Sequence, residues 1–115
     1  MHRERRRGAG MNGGYKRQLD AMATIVMHVE YRIERHGPGV VDYSVALVVE
    51  VDGRKETVRV YDGAHGENEL HRQTRGGGKQ AAEVFDRGNL GEGMRAAIEE
   101  IKHGYEEMID GWHRA

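Results

Sequence analysis

The chain predicts an α+β domain, an antiparallel β-meander of three to four strands with one long C-terminal helix packed on one face. Three observations carry this. Apolar and polar residues alternate with period two over 24–35 and again over 43–61. An Asp52-Gly53 pair interrupts the second stretch, as a two-residue type I′ hairpin requires. From Asn89 onward the apolar period becomes 3.6.

The first strand is TIVMHVEYRIER, with Ile25, Met27, Val29, Tyr31 and Ile33 on one face and His28, Glu30 and Arg32 on the other. His36-Gly-Pro-Gly39 closes it as a turn. Residues 43–51 form the second strand and Arg54–Tyr61 the third. A two-residue turn pairs Val51 with Arg54 and Glu50 with Lys55. Continued without a break, that register sets Leu47 against Val58 and Val45 against Val60 on the core side. Thr57, Arg59 and Tyr61 then lie on the open side. Residues 62–80 read as a long loop, a kind of segment that is usually functional or disordered. Gln80–Arg87 reads either as a short strand over Glu83–Phe85 or as a helical turn. The helix runs from Asn89 to about His113, with Glu92 completing a capping box. Its stripe is Met94, Ala97, Ile98, Ile101, Tyr105, Met108, Ile109 and Trp112. Gly104, beside the stripe, suggests close approach to the sheet.

At 115 residues this is one domain, assigned to 21–115, behind a basic tail at 1–20 read as disordered. Residues 1–18 hold six Lys/Arg against Glu4 alone, while the rest of the chain is acidic. The tail reads either as a contact for nucleic acid or an acidic partner, or as a solvated leader, with Met11 as a second candidate start. No cysteine is present, which excludes disulfides and thiolate metal sites and fits a reducing cytoplasm. No apolar run approaches the ~20 residues of a membrane-spanning helix.

The chemistry concentrates in YDGAHGENELHRQTRGGGK, residues 61–79. His65 and His71 stand six residues apart, and Arg72, Arg75 and Lys79 follow with no acid among them. Metal-independent RNA cleavage needs a base, an acid and cations for the phosphate charge. Imidazoles suit the first two because their pKa lies near neutrality. Guanidinium suits the third because its fork matches phosphate oxygens. His65 and His71 are therefore the candidate acid–base pair and Arg59 and Arg72 the candidate clamp. Tyr61, Arg75 and Lys79 are candidate RNA contacts. An ordinary polar surface accounts for the same residues equally well. For a metal, His65 and His71 with Glu67 or Glu69 supply possible ligands, but no HExxH or zinc spacing is present, so no metal or cofactor is assigned. The GGGK run fails the phosphate-loop pattern at Gln73 and Gln80 and reads as a hinge.

The order Arg59-Val60-Tyr61-Asp62, then His65, then His71-Arg72, then a C-terminal helix, resembles the TumE-like toxins of bacterial toxin–antitoxin pairs. The resemblance spans roughly residues 24–112 and rests on short motifs. Arg72 stands where that family tends to carry a further histidine. The resemblance implies a small toxin acting on RNA and a helix-turn-helix antitoxin as partner. A non-catalytic module for protein or nucleic acid is the alternative, as is a homodimer built on an exposed strand edge.

Overall fold

In the computed structural model, which describes residues 10–34, 36–37, 39–76 and 78–115, six strands run in sequence order as one antiparallel meander. They are β1 (Gly13–Gln18), β2 (Ile25–Ile33), β3 (Val40–Val51), β4 (Arg54–Asp62), β5 (Asn68–Arg72) and β6 (Glu83–Asp86). The helix α1 (Leu90–Arg114) packs on one face of the sheet and leaves the other open. The class is as expected, and the meander is longer than three to four strands.

The hairpin forms where Asp52-Gly53 requires it, with φ of 53° and 79° at the two turn residues. Val51 pairs with Arg54 and Glu50 with Lys55. The capping box also forms. Asn89 Oδ1 accepts from the Glu92 N–H at 2.8 Å, and Glu92 Oε1 accepts from the Asn89 N–H at 3.0 Å. Met27, Val29, Tyr43, Val45 and Leu47 on the sheet meet Ala97, Ile101, Ile109 and Trp112 on the helix. Ile101 is fully buried, so Ile101→Ala should lose roughly 2–5 kcal/mol of stability in urea unfolding. A loss below about 0.5 kcal/mol, the range of surface sites, would show that the helix face is wrongly set.

Three expectations are corrected. Residues 13–18 are not a tail without structure. They form β1, paired with β2 from Gly13↔Tyr31 to Gln18↔Val26. This strand is held by its backbone ladder and leaves most of its side chains exposed, so apolar periodicity cannot reveal it. Gly13 lies against the Tyr31 ring, where an added Cβ would meet Tyr31 Cε1 at 2.1 Å. Residues 1–9 lie outside the described residues. Second, the stretch 62–80 is not one loop. β5 occupies its middle, and β6 takes the strand alternative for Glu83–Phe85. Third, Gly104 marks no close approach, since a Cβ there would meet only Met108 Cε at 3.5 Å. Gly93 does. A Cβ there would fall 1.9 Å from Oδ1 of the buried Asn68.

The register of β3 against β4 breaks between Leu47 and Val48. Val48 pairs with Thr57, but Leu47 pairs with Arg59, so Val58 is an extra residue in a β-bulge. Val58 and Tyr61 enter the core, and Arg59 lies on the helix side with Trp112 and Met108 around it. Arg59 and Tyr61 therefore leave the open face on which an unbroken register would put them.

Candidate His–carboxylate site

β4 and β5 pair as Val60↔His71, Tyr61↔Leu70 and Asp62↔Glu69. Alternation sends Tyr61 and Leu70 into the core, so Asp62, Glu69 and His71 project together from the open face. The connection between the two strands is short and self-bonded. The Gly66 N–H donates to Gly63 O at 3.0 Å, the Ala64 N–H donates to Asp62 Oδ1 at 3.3 Å, and Gly66 takes a φ of 82°. This turn carries His65 back over the start of β5.

The histidines and acids meet there. His65 Nδ1 lies 3.1 Å from Glu69 Oε1. His71 Nε2 lies 3.2 Å from Asp62 Oδ2 and 3.7 Å from the same Glu69 Oε1. The two histidines differ in access, the His65 side chain being 74% exposed and that of His71 27%. The hydrogen bond and charge of Glu69 raise the pKa of the His65 imidazole above its ordinary value. His71 Nε2 is enclosed and, despite its closeness to two carboxylates, is aligned for no hydrogen bond among the described residues. Asp62, Glu69 and His71 form a group with one donor atom each, all within 4.8 Å of one another. Glu67 is exposed and stands outside it.

A groove of about 590 Å³ runs along the same open face, across β1 to β4. Lys16, His28, Glu30, Ser44, Lys55 and Thr57 line it, two lysines against one acid, and Ser44 pairs directly with Asp62, so groove and cluster adjoin. Burial, reinforced by the ammonium groups of Lys16 and Lys55, holds His28 below the usual imidazole range, with Glu30 acting in the opposite sense. The groove is thus locally basic where the cluster is acidic.

The structure brings His65 and His71 to the same oxygen of Glu69, but not the arginines. Arg59 pairs with Arg72 across β4 and β5, and both line a cleft of about 220 Å³ beside Trp112, on the helix side. Arg72 bonds Glu83 at 3.1 Å. Tyr61 is corrected as an RNA contact. It is fully buried, donates to Glu100 at 2.9 Å, and has its hydroxyl pKa pushed up to about 12, chiefly by burial. Arg75 and Lys79 are exposed around the turn after β5, which closes by the Thr74 N–H donating to Gly78 O at 2.7 Å. Gly77 lies outside the described residues.

Sequence reasoning missed the pairing of Asp62 and Glu69 with the histidines. The alternation Tyr61-Asp62 and Glu69-Leu70-His71 is the available signal, and the glycines and polar residues on either side of it hide it. Among the described residues, Asp62 and Glu69 have no ion-pair partner besides His65 and His71.

A family model described as "Domain of unknown function (DUF7718)" matches residues 3–115. No curated protein matches the chain, and no solved structure matches it.

Proposed function

We propose a function from the geometry of the site, since the chain belongs to the DUF7718 family, a domain of unknown function. The reading is a toxin-like protein that cleaves RNA on its open sheet face. The observation that carries it is the meeting of two imidazoles at one carboxylate, Glu69, at the end of a basic groove.

A histidine whose Nδ1–H is held by a carboxylate keeps Nε2 free as a base. His65 has that arrangement and the exposure to reach a substrate. It takes the proton of a 2′-hydroxyl, the 2′-oxygen attacks phosphorus, and the bond from phosphorus to the 5′-oxygen breaks as that oxygen takes a proton from water. Lys16 and Lys55 meet neighbouring phosphates along the groove. Arg59 and Arg72, on the opposite face, take no part. The resemblance to TumE-like toxins supports RNA as substrate and a helix-turn-helix antitoxin as partner.

The test is inducible expression in a bacterial host together with incubation of the purified chain with single-stranded RNA. Growth arrest and RNA cleavage are expected. RNA that is bound but stays intact, with growth unaffected, would replace this reading with a non-catalytic nucleic-acid-binding module, which the same groove supports.

A further inference from the structure

In a cleaving site the negative charge that builds on the phosphate needs a positive partner. The arginines are on the other face, and the cluster itself contributes two carboxylates. Left to side chains alone, this site would repel the substrate it is meant to stabilise. His71 is also unexplained by proton transfer. Its Nε2 is enclosed and points into the carboxylates rather than toward the groove's solvent.

We infer that Asp62, Glu69 and His71 bind a divalent first-row cation, which supplies the missing positive charge. Carboxylate and imidazole ligands sit about 2.0–2.2 Å from such a metal, so neighbouring donors lie about 3.0 Å apart at right angles and about 3.4 Å apart at the tetrahedral angle. His71 Nε2 stands 3.2 Å from Asp62 Oδ2, in that range, and 3.7 Å from Glu69 Oε1, which a small side-chain rotation would bring into it. The close approach of nitrogen to two carboxylates without a hydrogen bond is what a shared ion would resolve. Two oxygens and one imidazole nitrogen suit Mn²⁺ or Zn²⁺. Three protein donors leave coordination positions for water or a phosphate oxygen. His65 stays outside the set, turned to Glu69 through Nδ1 and exposed to solvent.

This inference rests on the proposed site but is tested apart from RNA cleavage. MnCl₂ is titrated into the full chain, and free Mn²⁺ is followed by its electron paramagnetic resonance signal. One site per chain is expected, together with a rise in melting temperature on saturation. Asp62→Asn and His71→Gln should each weaken binding by at least about tenfold, the scale at which even outer-shell partners of a metal count. His65→Gln, which removes a partner of the ligand Glu69 and not a ligand, should weaken it less than either of these. Circular dichroism confirms that each variant is folded. No binding of Mn²⁺ or Zn²⁺ at about 1 mM, a weak affinity by any measure, overturns the inference, as does unaltered binding in both ligand variants. Metal binding without RNA cleavage sustains the site and removes the nuclease. RNA cleavage undiminished in EDTA sustains the nuclease and overturns the cation's part in it.

Discussion

Asn68→Ala should cost roughly 3 kcal/mol or more, a large share of the ~5–15 kcal/mol that holds a small domain together. Asn68 is 1% exposed and, among the described residues, is the buried polar residue of the core. Its Oδ1 accepts from the Tyr43 hydroxyl at 2.7 Å. Its amide donates toward the carbonyls of Asp86, Gly88 and Asn89 at 3.3, 3.0 and 3.2 Å. One side chain thus ties β3 to the segment that leads from β6 into the helix cap. Truncation leaves the buried Tyr43 hydroxyl without its acceptor and takes a donor from the Asp86 and Gly88 carbonyls, while the Asn89 carbonyl keeps the Gly93 N–H. A buried polar group left unpaired costs about 1–3 kcal/mol, to which the lost packing adds. Gly93→Ala should be comparably harmful, because its Cβ would collide with the same amide, which has no room to retreat. Urea unfolding measures both. A loss under about 1 kcal/mol for Asn68→Ala would show that water satisfies the pocket and that the network is not structural.

The second large effect is on activity. His65→Ala should lower the rate of RNA cleavage by about 10²–10⁴-fold, the usual contribution of a proton-transfer group. Stability should hardly change, since the side chain is mostly exposed. Arg59→Gln and Arg72→Gln should leave the chemical step unaffected, because both side chains lie across the sheet from the cluster. Single-turnover cleavage of a short RNA, with thermal melts alongside, separates these outcomes. Full activity in His65→Ala, or loss in the arginine variants with the fold intact, would reverse the assignment.

What could be read from the sequence was local. The type I′ turn at Asp52-Gly53 and the Asn89/Glu92 capping box are written within four residues each, and both form. The helix stripe is long enough for its period to be unmistakable. β1 is polar and glycine-bearing and exists because a neighbouring edge offers its backbone, which its own side chains do not announce, while β5 and β6 are too short for their alternation to stand out. The role of Asn68 has no signature either, since its partners lie up to 25 positions away. The joining of His65 with His71 was legible as proximity in the chain. Their separation from Arg59 and Arg72 was not, because Val58 and Val60 imitate an unbroken alternation.

That imitation gives the bulge at Val58 a further meaning. The bulge divides the strands that precede it from the pairing of β4 with β5, and the step between them is a single residue. Slide that pairing by one residue and everything in it turns over as a block. Tyr61 and Leu70 would be stranded in water, while Asp62, Glu69 and His71 would be forced under the helix. The polar cluster faces outward because one strand is one residue too long. An insertion or deletion near position 58 is therefore not a local edit. It is an inversion of half the molecule, and it would strike the core and the reactive face at once.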